Sequence, residues 1–98
     1  MTDGAGPLAG YRVLEVGHML AGPFCGLLLA DLGAEVVKIE GPKGDIARTV
    51  SPHSVGPHNS YFASLNRNKA SVVLDLSDGE DRARFHELAR GAHALVTN

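Results

Sequence analysis

Tryptophan is absent from this sequence, and its only aromatic residues are two Tyr and three Phe. A core without large rings has to be assembled from Leu, Val, Ile and Ala. Cysteine occurs once, which excludes an internal disulfide framework and a zinc site built on thiolates. A lone thiol suits a reducing compartment. Long apolar runs are missing as well. The longest, Met19 to Ala30, is interrupted by Gly22, Pro23 and Gly26 and closed by Asp31. It falls well short of the roughly 20 residues that cross a bilayer. The opening MTDGAGPLAG has neither a basic n-region nor an apolar h-region, so no secretory signal is expected, and the protein reads as cytoplasmic, without a membrane partner. There is no excess of positive charge: the formal net charge is −2, which argues against a non-specific nucleic-acid binder.

What is present is the composition of one small globular domain. The chain has 98 residues, 44 % of them hydrophobic and 20 % charged, close to the usual proportions. Twelve Gly and five Pro imply frequent tight turns. Tyr11 to Val16 is β-rich and reads as a first strand. Pro23 fits a first helical turn. Phe24, Leu27, Leu28 and Leu32 recur at helical spacing behind it, and Gly33 suits the position after a helix end, so 22–32 reads as the first helix. Glu35 to Glu40 reads as the second strand. Residues 41–60, with Gly41, Pro42, Gly44, Pro52, Gly56 and Pro57, read as one long loop of the kind that is functional or mobile. Ser60 to Leu65 reads as a single helical turn and Ser71 to Leu76 as the third strand. Ser77 with Glu80 forms a capping box for a second main helix ending near Arg90. Ala92 to Thr97 completes the pattern as the fourth strand.

Alternating strands and helices predict an α/β fold, a Rossmann-like parallel sheet of about four strands and two main helices. The strands alternate little, as expected when both faces are covered. Two helices cover four strands poorly, and residue 98 falls at a strand's C-terminal edge, where such sheets place ligands. Residues 1–98 are therefore expected to be the first part of a longer Rossmann-like domain, with no second domain in the chain.

Chemistry-bearing residues are sparse. The segment from Gly17 to Pro23 lets a ligand approach the backbone, and helix N–H groups there suit an anion. It is neither the dinucleotide fingerprint, since Met19 takes the second Gly position, nor a Walker A loop. Gly17 and Gly22 equally suit a tight turn alone. Glu40 stands where a ribose-binding acid sits in NAD proteins, or is a solvated strand end. Lys43, Arg48, Arg67 and Lys69 suit phosphates, or are ordinary loop charges. His18, His53, His58, His86 and His93 lack metal-ligand spacing, so no metal site is expected. Cys25, between helix positions, reads as a buried, inert thiol. Asp78, Glu80 and Asp81 favour a helix N-terminus. Asp75 ends a strand near the ligand edge, or forms a turn.

Taken in order, Leu8-Ala-Gly-Tyr-Arg-Val-Leu-Glu15, Leu20-Ala-Gly-Pro-Phe24, Leu29-Ala-Asp-Leu-Gly-Ala-Glu-Val-Val-Lys-Ile-Glu40, Gly44-Asp45 with Arg48, Asn66-Arg-Asn-Lys69 and Leu74-Asp-Leu76 resemble the class III coenzyme A-transferases, the formyl-CoA transferase-like family, across residues 8–98. The resemblance implies a Rossmann-like domain built from both chain ends, a smaller domain between them, and two subunits interlocked as a homodimer. It implies coenzyme A as acyl carrier, with an acyl-CoA and a carboxylic acid as substrates. Positions matching the family's CoA contacts are Met19, Leu20 and Ala21, then Leu74 and Asp75, then Asn98, with Lys38, Arg48, Arg67 and Lys69 as further candidates for CoA phosphates. Formyl-type members carry Gln in place of Leu20 and Arg in place of Gly41, so a formyl or oxalyl substrate does not follow. In the family an Asp carboxylate attacks the acyl-CoA thioester to give a mixed anhydride. CoA thiolate converts that to an aspartyl-CoA thioester, and the acceptor acid takes the CoA. The Asp matches no position here, so no catalytic residue is assigned within this chain. The α-methylacyl-CoA racemases share the superfamily and are the nearest alternative, but often carry Gly-Pro-Gly-Pro where this chain has Leu20-Ala-Gly-Pro23. A non-catalytic nucleotide- or CoA-binding module is the alternative from another class.

Overall fold

The computed structural model describes residues 6–98; the part of the leader reading that falls on residues 1–5 lies outside the described residues. In chain order the elements are β1 (Arg12–Val16), α1 (Ala21–Asp31), β2 (Glu35–Glu40), a 3-10 turn (Ile46–Thr49), the short β3 (Ser54–Val55) and β4 (His58–Asn59), α2 (Ser60–Asn66), β5 (Lys69–Val73), α3 (Gly79–Arg90) and β6 (Ala94–Thr97). Four strands form one wholly parallel sheet in the order β5-β2-β1-β6, and β3 and β4 form a small antiparallel ribbon. The α/β class and the parallel sheet are as expected.

Register puts Val13 opposite Val36 and Ala94, and Leu14 opposite Val37 and Leu95. Successive side chains then point to opposite faces. Val13 and Val36 pack with Ala30 and Ala34 in the layer shared with α1. Leu14, Val37, Ile39 and Leu74 form the other layer, under Phe85 and Leu88 of α3. Burial on both faces explains why Val13-Leu14 and Val36-Val37 are consecutive apolar pairs rather than alternating with polar residues.

The first helix corrects its expected face. Leu27 is buried as predicted, but Phe24, Leu28 and Leu32 are about half exposed. Gly22, Gly26 and Ala30, four residues apart, lie against the sheet instead. The reason is a polar side chain below: a Cβ on Gly26 would collide with the Glu15 carboxylate, so only glycine allows the helix to approach so closely. Cys25, off this face, is exposed rather than buried. Gly33, at φ +104°, ends the helix as expected, and the Gly33 and Ala34 N–H groups close its last turn onto Ala30 and Leu29.

Other boundaries moved for local reasons. Residues 41–60 hold the 3-10 turn and the β3–β4 ribbon rather than plain loop. The single turn expected at 60–65 extends to Asn66, capped by the Asn59 side chain on the Tyr61 N–H. The third main strand starts at Lys69 and ends at Val73, because Asp75 Oδ1 accepts from both the N–H and hydroxyl of Ser77 and turns the chain. Ser77 is thereby withdrawn from the predicted capping box; Asp78 caps α3 by accepting from the Asp81 N–H. The last strand begins at Ala94, after the His93 N–H pairs with the Arg12 carbonyl.

Gly26→Ala should destabilise the fold by about 2 kcal/mol, since overpacking against an immobile ion pair has no cheap relaxation. Urea unfolding followed by circular dichroism measures it, and an unchanged midpoint would contradict the close contact.

Candidate functional site

Parallel strands place their C-terminal ends at one edge of a sheet. From β1 the chain passes to β2 and β5 on one side, then to β6 on the other. Where the order reverses, the loops leaving neighbouring strands diverge and open a crevice. A cleft of about 490 Å³ lies there, lined among others by Gly17, His18, Glu40, Asp45, Thr97 and Asn98.

The β1–α1 loop forms one wall, and three side chains hold its backbone. Asn98 accepts the His18 N–H at 3.2 Å and donates to the His18 carbonyl at 3.2 Å. A Cβ on Gly22 would stand 2.7 Å from Asn98 Oδ1, and one on Gly17 would clash with the same atom, so both glycines are required by this clasp. Met19 adopts φ +66° and donates its N–H to Asp45 Oδ1 at 3.0 Å. Lys38 reaches the Gly17 carbonyl at 3.4 Å. Leu20 then opens α1 without a side-chain cap, and the first turn carries no acid. The first-turn N–H groups are left without intrahelical partners at the positive end of the helix dipole.

Beneath the loop lies a group of buried charges. Lys38 Nζ contacts Glu15 Oε2 at 2.7 Å and Asp45 Oδ2 at 2.9 Å. Lys69 Nζ contacts Glu15 Oε1 at 2.6 Å, and donates to the Pro23 carbonyl and Asn66 Oδ1. Alongside, Glu40 takes a fork of bonds from Arg48 at 2.8 and 2.7 Å, plus the Ser71 hydroxyl and the Asp45 N–H. Arg48 also lies 3.8 Å over the Phe62 ring, a cation–π contact. The Arg48 guanidinium, with Ser71 and the Asp45 N–H, lowers the Glu40 pKa to about 2. Burial works against ionising Asp45, but the Ala47 and Met19 N–H groups and Lys38 hold its carboxyl below the ordinary value. Burial pushes Lys69 down, against the attraction of Glu15.

The six residues matched to CoA contacts divide. Met19, Leu20, Ala21 and Asn98 come together around the β1–α1 loop, and Asn98 lines the cleft. Leu74 and Asp75 follow β5, which is separated from β1 by β2. The Leu74 side chain is buried in the α3 layer. Asp75 is engaged by the hydroxyl and N–H of Ser77, which lower its pKa. Lys38 and Lys69, candidates for phosphate contacts, are committed to carboxylates in the interior, the partly exposed Arg48 is forked onto Glu40, and Arg67 pairs with Asp31 at 2.7 Å. Glu40, a candidate ribose acid, is committed to Arg48 and Ser71.

In the sequence Glu15 and Asp45 stand within the quoted motifs but carry no assigned role. The available signal was Glu15 and Lys38 on strands read as covered on both faces, since a buried charge needs a partner. Among the described residues no group of three or more His, Cys, Asp or Glu is arranged to hold a metal, and no helix is long and apolar enough to cross a membrane.

The model of CoA-transferase family III matches residues 8–98. The chain is 45 % identical over 97 residues to a succinyl-CoA:mesaconate CoA-transferase of Haloarcula hispanica, covering 95 % of this chain and 24 % of that protein. It is 47 % identical over 94 residues to an acetyl-CoA:oxalate CoA-transferase of Acetobacter aceti, with 95 % and 24 % covered. Human succinyl-CoA:glutarate CoA-transferase is 42 % identical over 93 residues, with 94 % and 21 % covered. Among solved structures, a CaiB/BaiF family protein from Brucella suis superimposes with a TM-score of 0.89 at 38 % identity, over 95 % of this chain and 26 % of that one. The chain thus spans about a quarter of the length of the curated relatives it matches.

Glu40 makes stability pH-dependent. Its folded pKa is depressed from 4.5 to about 2, so its contribution is full above the unfolded value and is lost as pH falls through that interval. Screening at the partly exposed Arg48 limits this to the order of 2 kcal/mol. Acid titration of urea stability should show a decline between those values that flattens in Glu40→Gln; an identical slope in the variant would refute the assignment.

Proposed function

The chain belongs to CoA-transferase family III, and on that premise we propose that it is the N-terminal part of a Rossmann-like coenzyme A-binding domain, in an enzyme that moves CoA between an acyl-CoA and a carboxylic acid. The observation that carries this reading is the cleft at the strand-order reversal, walled by a glycine-bearing loop that leads into an uncapped helix. CoA is an anionic, elongated ligand. N–H groups at Leu20 and Ala21, where α1 begins, suit a phosphate without any basic side chain, which fits the burial of Lys38 and Lys69 and the pairing of Arg48 with Glu40. Met19, Leu20, Ala21 and Asn98 are the proposed CoA contacts, with Leu74 and Asp75 contributing main chain beside β2. The carboxylate nucleophile belongs to the remainder of a family-length protein. Splitting the exchange into covalent steps lowers each barrier.

The relatives act, by name, with succinyl-CoA or acetyl-CoA and with mesaconate, oxalate or glutarate. Dicarboxylic acids are therefore the proposed acceptor class. A homodimer of interlocked subunits is the proposed assembly. Leu20, Phe24, Leu28 and Leu32 form a half-exposed apolar stripe along α1, as an interface would require. The unpaired Cys25 agrees with a cytoplasmic setting.

The intact protein, given succinyl-CoA and a panel of dicarboxylic acids, should transfer CoA without exchanging the substrate α-proton in deuterated solvent. Exchange without transfer would identify a racemase instead. In titration calorimetry CoA should bind more tightly than NAD; the reverse order would remove the CoA reading, and binding without turnover would leave a non-catalytic module. Gly22→Val, which displaces Asn98 and crowds the loop, should weaken CoA binding by roughly tenfold, about 1.4 kcal/mol. A folded variant with unchanged affinity would remove this loop from the site.

A further inference from the structure

Of the loop's wall residues, Met19 carries the backbone cost. At φ +66° a non-glycine residue stands in a region that disfavours a Cβ, and something must hold it there. Its N–H donates to Asp45 Oδ1 at 3.0 Å. The same oxygen accepts from the Ala47 N–H at 2.9 Å and so starts the 3-10 turn. The other carboxylate oxygen lies 2.9 Å from Lys38 Nζ, and both side chains are essentially without solvent exposure. Lys38 is itself fixed by Glu15 and reaches the Gly17 carbonyl. A buried ion pair thus grips the loop at two points, Gly17 and Met19, while Asn98 holds His18 between them.

We propose that Asp45 is a positioning residue for the ligand site: acting through the Met19 N–H, it keeps the β1–α1 loop in the strained form that presents Leu20 and Ala21 to CoA. The ligand named here rests on the functional reading above; the loop geometry does not. A carboxylate so enclosed does not touch substrate, so its influence runs through Met19. Its ion pair with Lys38 and its hydrogen bond to Met19 are separable, because asparagine keeps the oxygen that accepts from the two N–H groups of Met19 and Ala47 and turns only an uncharged amide NH2, which cannot accept, toward Lys38.

The experiment compares Asp45→Ala and Asp45→Asn in the intact protein. It measures CoA affinity by calorimetry, urea stability, and hydrogen exchange of the Met19 amide. Both variants should lose stability, since each unbalances Lys38. Asp45→Ala should release the Met19 amide and weaken CoA binding by roughly tenfold, the weight of one lost hydrogen bond. Asp45→Asn should keep Met19 protected and hold the affinity within about threefold. Affinity that follows the stability loss equally in both variants, or wild-type affinity in Asp45→Ala, would overturn the proposal. Should Asp45→Ala not fold, Asp45→Asn decides alone: Met19 protected with affinity lost overturns it, and Met19 protected with affinity kept supports it. If the unaltered protein does not bind CoA, the functional reading fails instead, and the Met19 exchange rates still decide whether Asp45 holds the loop.

Discussion

Between the sheet and its α1 covering, Lys38 meets Glu15 and Asp45, and Lys69 meets the far oxygen of Glu15. Removing such groups from water costs several kcal/mol for each ion, and their mutual attraction offsets that cost only at close range. Two acids and two bases balance to zero charge, as do Glu40 and Arg48 beside them. Pairs of this kind are poor sources of net stability, but breaking one strands a buried charge. Much of this half of the fold answers to that constraint. Glycine at position 26 leaves room for the Glu15 carboxylate. The Pro23 carbonyl and Asn66 meet the remaining protons of Lys69, and the Glu40 carboxylate receives the Asp45 N–H.

The same charges decide which groups are left for a ligand. Basic side chains near a ligand edge invite assignment to phosphates, and here Lys38 and Lys69 are enclosed and paired, while the partly exposed Arg48 is paired with buried Glu40. What the edge offers is main chain: the loop after β1, with two glycines pressed on Asn98, and the first turn of a helix that no side chain caps. A loop held at Gly17 and Met19 by an interior ion pair is ordered before any ligand arrives, which is the physical advantage of preorganisation.

The two outer faces differ. The outward side of α3 carries Arg82, Arg84, His86, Glu87 and Arg90, and the helix buries no residue completely. The outward side of α1 is apolar. One face is solvated, and the other has the character of a surface met by more protein. That difference accords with a chain spanning about a quarter of the length of its curated relatives.

Much of the architecture was legible locally. Hydrophobic runs bounded by Gly33 and Gly91, Pro23 near a helix start, and strand–helix alternation identify a parallel α/β sheet without any tertiary information, because turn chemistry and periodicity are properties of neighbours in sequence. The motif order from Leu8 to Leu76 likewise identified the family. The orientation of α1 was not legible: Phe24 and Leu28 look like a core stripe until the buried carboxylate of Glu15 demands Gly26 beneath the helix. Nor were the partners of the charges. Lys38 and Asp45 are seven residues apart and Glu15 and Lys69 are fifty-four apart, and a Coulomb pairing depends on distance in space. The sequence by itself determined the elements, their class and the kinship; only the tertiary structure decided which charges are spent inside the protein and which backbone groups remain for a ligand.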